Sequence, residues 1–379
     1  MNSKPPILYK SIENKTIYWK EESNKYIVLE NATAAILQKI SNNVSLKKIA
    51  EELALKLSLP EEDTFLFVKD VKEQLIGANT DKKSTQKNTK KQQKKPNTFE
   101  FTKLYKVNTI VFKVHFFSEY ELFLVHPKFA HLEIKESEVT TTQFYVFTID
   151  KKIYFYVDTK FIGSWDLTEV HFFQGKFSME LIQKIHQKEE DEWLGVFHAS
   201  AVANNKKSIL FLGDSGNGKS TSLALLQSNG FTCLADDFVP IDVHKKMVHS
   251  FPAAISIKKN SLDTLLPLFP ELKTSAEYHF KRLNKIVRYL KPNNTNFLES
   301  LPCNDIVFIK YKKDSSLHFT KISKINAFQE LVPDSWLSPI KKNASIFLEW
   351  FDTINCYTIT YSNNNEMIAA VSKIFDNEL

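Results

Sequence analysis

Glycine is scarce, with 8 in 379 residues, so a local cluster of glycines marks backbone that needs their freedom. Cysteines number 3, at Cys233, Cys303 and Cys356. Widely spaced and odd in number, they exclude a disulfide scaffold and an all-cysteine zinc site, and they suit a reducing cytosol. No apolar run approaches the roughly 18 residues of a membrane helix. The opening MNSKPPILYK has no hydrophobic segment, so no secretory signal is expected. The expectation is a cytoplasmic protein with no membrane partner. Neither H-E-x-x-H nor G-x-S-x-G occurs, so neither zinc nor a serine-hydrolase elbow is expected.

What is present is ordinary globular material. Hydrophobic residues make 43% and charged residues 25%, with 30 Phe to build cores. The length allows two or three domains. The net charge of +6 has a local origin. ANTDKKSTQKNTKKQQKKPN (78–97) holds seven lysines and one aspartate, a surplus of six, so the rest of the chain sums to zero. Nucleic-acid binding therefore does not follow from the basic pI. With no apolar residue after Ala78, this stretch reads as a flexible Lys-rich linker, 78–98.

Residues 1–77 form the first expected domain. Short strands are read at Ile7–Lys10, Thr16–Glu21 and Lys25–Glu30, the last two joined by Glu22-Ser23-Asn24. Three helices follow. Asn31 is the expected cap of the first and Ser45 of the second. The third starts after Pro60 on Glu61, Glu62 and Asp63. A small sheet followed by three helices is a winged-helix pattern. Yet 61–76 carries five acids and two lysines, the wrong sign for a helix that reads DNA. KYIVLENATAAILQKI and SLKKIAEEL, with the 61–76 helix, resemble the PqqD-like family of peptide-recognition domains. The resemblance implies capture of a leader peptide by strand addition at the sheet edge.

Residues 99–190 read as β-rich. KVNTIVFKVHFF, YELFLVH, TTTQFYVFTID and KKIYFYVDTKFIGSWDL show strand-like alternation, and SMELIQKIHQKEEDEW reads as a helix. Residues 191–379 carry the chemistry. An apolar strand at Ser208–Leu212 runs into Gly213-Asp214-Ser215-Gly216-Asn217-Gly218-Lys219-Ser220, which matches G-x-x-x-x-G-K-[ST]. A helix starting near Thr221 follows. Backbone amides freed by the glycines can cradle phosphates, Lys219 can reach the β- and γ-phosphates, and Ser220 can hold magnesium. The preceding GVFHASAVANNKKSILFL reads as a hairpin turning at Asn204-Asn205-Lys206. Asp236 and Asp237 end a later strand, where one can hold magnesium and the other accept a proton.

These residues resemble the HPr kinase/phosphorylase family, whose nucleotide fold is shared with PEP carboxykinases. The resemblance implies an α/β (α+β overall) P-loop domain that binds ATP and Mg2+. It implies Asp237 as catalytic base, His198 beside it, Asp236 as the metal-associated acid, and Gly213–Thr221 as the phosphate site. FPAAISIK (Phe251–Lys258) matches as a strand pair, and CYTITYSNNNEMIAAVSKIF as a terminal strand and helix. Ser256-Ile257-Lys258 stands where the family has Glu-Ile-Arg, and the family's arginine-rich C-terminal signature is absent. In KRLNKIVRYLKP, Arg282, Lys285, Arg288 or Lys291 could replace that positive charge; the other reading of the segment is a solvated cationic helix. The expected activity is transfer of the γ-phosphate of ATP to a Ser or Thr hydroxyl of a peptide, with a ribosomal natural-product precursor as the expected kind of peptide. The alternatives are a nucleotide-gated binding protein and a kinase for a small hydroxylated metabolite.

Overall fold

The computed structural model describes residues 8–76, 92–137, 139–280 and 285–378. Most of the expected linker, and Arg282, lie outside these. In chain order the first elements are strands β1 (Leu8–Ile12), β2 (Lys15–Lys20) and β3 (Lys25–Glu30), then helices α1 (Asn31–Ser41), α2 (Leu46–Leu57) and α3 (Glu61–Leu75). Next come β4 (Phe101–Val107), β5 (Ile110–Phe116), α4 (Glu119–Phe129), β6 (Glu133–Ile134), β7 (Thr142–Ile149), β8 (Lys152–Val157), β9 (Lys160–Asp166) and α5 (Val170–His186). The remainder opens with β10 (Trp193–Phe197), β11 (Ser200–Ala203), β12 (Ser208–Leu212), α6 (Lys219–Ser228), β13 (Thr232–Asp236), β14 (Val239–Asp242), β15 (Met247–His249) and β16 (Ile255–Lys258). It continues through α7 (Leu262–Leu265), β17 (Tyr278–Phe280), β18 (Lys285–Leu290), β19 (Ser300–Tyr311), β20 (His318–Lys321), α8 (Lys324–Leu331), β21 (Trp336–Leu337), α9 (Lys341–Thr353), β22 (Asn355–Tyr361) and α10 (Asn364–Asp376). The architecture is mixed α/β.

The chain divides into two compact units. The first is drawn from Met1–Lys87, Ser323–Val332 and Leu337–Asp352. Its sheet has the antiparallel order β1-β2-β3, which leaves β1 and β3 as edges. Helices α1–α3 close over Ile36, Ile49, Val68 and Val71. Ser45 caps α2 by accepting from Lys48 N. Asn31 is not a cap: it is the first residue of α1, and its Oδ1 accepts from Thr16 Oγ1 at 2.8 Å. The sequence reading gave all of 191–379 to one domain. Instead α8 and 337–352 belong with the first unit, where Tyr26 packs edge-on against Phe328 at 5.9 Å and Phe347 at 5.4 Å. Sequence adjacency is blind to helices inserted late in the chain that complete an early core.

The second unit holds the rest. One sheet runs β6-β4-β5-β7-β8-β9, with β5 and β7 parallel. Parallel neighbours need a crossover, and YELFLVH supplies it as α4 rather than as a strand. Ser118-x-x-Glu121 is its capping box: Ser118 Oγ accepts from Tyr120 N at 3.3 Å, and Ser118 N donates to Glu121 Oε2 at 2.8 Å. A second, larger sheet follows β13-β11-β12-β19-β15-β14-β10, with β22 beside β19, and a third has the order β16-β18-β17. The middle strands of the larger sheet, β12, β19 and β22, are parallel, while β11 runs antiparallel to both its neighbours, β12 and β13. Helices α6 and α10 cover one face through Leu223, Leu226, Val371 and Ile374. The cationic segment 285–290 is a strand, β18, rather than a helix, because it pairs with both β16 and β17. Only 255–258 of the expected FPAAISIK pair is a strand.

Candidate functional site

The site begins with β12, fully buried between antiparallel β11 and parallel β19. The chain must leave the sheet at once, because Gly213 sits against the next strand. A Cβ there would lie 2.7 Å from Ile309 O, and its φ is +140°. Gly218 (φ +94°) then caps α6, with Tyr311 behind it. Lys219 is thus the first residue of the helix, and its amine turns back to donate to Gly213 O. Free amides of a helix's first turn and the helix dipole together favour an anion at this point.

Two adjacent acids occupy different worlds. Asp236 ends β13 and is 3% exposed. Its Oδ1 accepts from Ser200 Oγ at 2.6 Å, Ser220 Oγ stands 3.0 Å from Oδ2, and Ser256 N donates to Oδ2 at 3.1 Å. Asp237 is in the left-handed region at φ +70°, which aspartate tolerates, so its side chain departs on another course and is 45% exposed. His198 Nδ1 lies 3.0 Å from Asp237 Oδ1, and Lys128 Nζ lies 3.7 Å from Oδ2. Burial, then the charge of Asp237, pushes the Asp236 carboxyl above the usual range. Burial acts upward on Asp237 as well, but Lys128, His198, Lys285 and Lys219 outweigh it and hold that carboxyl below its usual range. Two neighbouring titratable groups driven apart in this way are suited to different tasks.

A cavity of about 170 Å³ joins these groups, lined by His198, Lys219, Ser220, Asp236, Asp237 and Lys285 among others. Lys258 closes the loop side by donating to Ser215 Oγ at 2.8 Å, and Thr221 Oγ1 donates to Ser261 Oγ at 2.8 Å. Burial pulls the Lys219 ammonium below its usual range, with Asp237 and Asp236 acting against that. Asp214, Ser215, Gly216, Gly218 and Thr221 also line the cavity. Gly213 and Asn217 are not among the lining residues. Asn217 instead accepts from Tyr311 N at 2.9 Å and steadies the loop from the strand side. Ser220 and Asp236 are hard oxygen donors in mutual contact. They fit magnesium, which commonly takes one or two protein oxygens and completes its shell with substrate phosphates and water.

His198 lies between β10 and β11, is 43% exposed and meets Asp237. Lys128, Ser200 and Ser256 escaped the sequence reading as site residues. Ser200 was legible in principle, since the hairpin that feeds the loop sets it opposite Phe211. Lys128, on α4 of the β-rich part, left no local signal. Arg288 is no site residue: Nη1 donates to Leu272 O at 2.8 Å, and Nη2 pairs with Glu277 at 3.1 Å.

No family model and no curated protein matches the chain. Among solved structures, the Hpr(Ser) kinase/phosphatase from Coxiella burnetii is similar over 48% of this chain and 95% of that one, at 10% identity and a TM-score of 0.22. Among the described residues no helix is long and apolar enough to cross a membrane.

Proposed function

We propose that this chain is an ATP-dependent kinase of the HPr-kinase type that phosphorylates a Ser or Thr hydroxyl of a peptide. The observation that carries the reading is the phosphate loop opening onto two aspartates held in opposite ionisation environments. The loop amides and Lys219 hold the β- and γ-phosphates and offset charge on the group in transit. Ser220 and Asp236 would hold magnesium, which when bound neutralises phosphate charge. Asp237 accepts the proton of the acceptor hydroxyl as its oxygen bonds to the γ-phosphorus. The bond from that phosphorus to the bridging oxygen breaks, and ADP leaves. His198 holds Asp237 in place through Oδ1.

The peptide half of the proposal is supported by the first unit. Strand β3 is an edge of its sheet, and a sheet edge suits an added strand from a leader peptide. Tethering a precursor to the same chain as the phosphate loop raises its effective concentration.

Lys219→Ala is expected to abolish phosphopeptide formation. Asp237→Asn is expected to keep nucleotide binding and lose transfer by about 100-fold or more. Mass spectrometry of peptides that co-purify with Asp237→Asn would identify the acceptor. Full transfer by Lys219→Ala would refute the role of the loop. Loss of ATP affinity with chemistry intact in Asp237→Asn would exchange the roles of the two aspartates.

A further inference from the structure

Among the described residues, Lys128 brings the β-rich part of the second unit to the phosphate site. Lys128 lies in the last turn of α4, and its Nζ is 3.7 Å from Asp237 Oδ2. Its main chain is engaged as well: Ala254 N donates to Lys128 O at 2.8 Å. Ala254 immediately precedes β16, and Ser256 within β16 donates to Asp236. A single residue of α4 therefore touches the side chain of one aspartate and the strand that holds the other. The helix cannot drift freely. Glu121 locks its start through the capping box and is fully buried, while Phe123 packs against Phe280 at 5.0 Å.

Around Asp237 the partners divide by atom. His198 takes Oδ1 and Lys128 takes Oδ2. Either contact alone leaves the carboxylate free to swing about its χ2 bond, which is broad and soft. Both together hold the two oxygens from two sides. The Asp237 side chain is 45% exposed, so these contacts, with the charges of Lys285 and Lys219 nearby, bear directly on where its carboxylate points.

We propose that Lys128 is a positioning residue of the phosphoryl-transfer site, and that the β-rich part of the chain belongs to the catalytic apparatus rather than being an appended module. This rests on the kinase reading given above. A misplacement of about 1 Å in a reacting group can cost on the order of 100-fold in rate, which sets the scale of the expected effect.

The test uses the full chain with Lys128→Met and Lys128→Arg. Affinity is read with a fluorescent ATP analogue, and turnover is read as ADP released from Mg-ATP with water as acceptor. Lys128→Met is expected to bind the analogue within twofold of wild type while kcat falls at least tenfold. Lys128→Arg is expected to restore most of kcat. A general loss of folding would instead lower affinity and thermal stability together, and arginine would not rescue it. Turnover by Lys128→Met within twofold of wild type would overturn the proposal. A crystal structure of Lys128→Met provides an arm independent of turnover. Rotation of the Asp237 carboxylate away from His198 supports the assignment, and an unmoved carboxylate overturns it. Failure of the wild-type chain to bind the analogue counts against the nucleotide reading, and the crystallographic arm still decides the role of Lys128.

Discussion

Replacing Gly213 by alanine tests whether the phosphate loop leaves the sheet as described. Two costs combine there. The residue has φ +140°, and a side chain held in so sparsely populated a region costs about 1–3 kcal/mol. The new Cβ would also meet Ile309 O at 2.7 Å. That oxygen belongs to the backbone of β19, laddered at this point to β22 with Ile309 opposite Ile359, so it cannot swing aside as a side chain would, and such overlap costs about 1–3 kcal/mol more. Gly216 is the internal control. Its φ is +105°, but nothing lies within 4 Å of a Cβ built there, so Gly216→Ala carries only the backbone cost. At roughly 2 °C per kcal/mol for a unit of this size, Gly213→Ala should lower the melting temperature by about 4–12 °C and Gly216→Ala by about 2–6 °C. Differential scanning fluorimetry of both variants beside wild type measures the difference. Equal depression by the two substitutions would refute the close approach to Ile309, and with it the account of why the loop starts on glycine.

Two further expectations concern stability. Burial, followed by the nearby His249, holds the His186 imidazole down to about 4, and its Nε2 donates to Ser250 O at 2.8 Å. In the unfolded chain it titrates near the ordinary value, so no stability is lost at neutral pH; protonation of the unfolded state then withdraws up to about 3 kcal/mol as pH falls from about 6.5 to about 4. Thermal melts between pH 7 and pH 4.5 should show a smaller acid loss for His186→Gln than for wild type, and an unchanged slope would rule out this histidine as a source. In the first unit, Tyr26 OH is buried with no hydrogen-bond partner among the described residues. Removing an unsatisfied polar group relieves about 1 kcal/mol, so Tyr26→Phe should match or exceed wild type in a urea melt of that unit, and a clear loss would show that the hydroxyl is satisfied.

What the sequence alone determined was local. Gly213–Ser220 is a contiguous run whose spacing dictates its backbone shape, and Ser45 before α2 caps the helix it adjoins. The order strand, loop, helix was readable because each step depends on neighbours only a few residues apart. Tertiary structure decided what depends on distant pairing. YELFLVH has the composition of a strand, and it became a helix because β5 and β7 are parallel neighbours that require a crossover between them. The segment 285–290 became a strand because β16 and β17 offered it ladders on both sides. Helix α8 and 337–352 joined the first unit through contacts far apart in sequence, such as Tyr26 against Phe328 and Phe347. The division of labour between Asp236 and Asp237 was likewise not in their letters. Two identical neighbours were set apart by one left-handed φ angle, by Ser200 and Ser256 on one side, and by His198 and Lys128 on the other. Electrostatic environment is a property of what folds against a residue, and those groups come from three separate segments of the chain, near 128, 198–200 and 256.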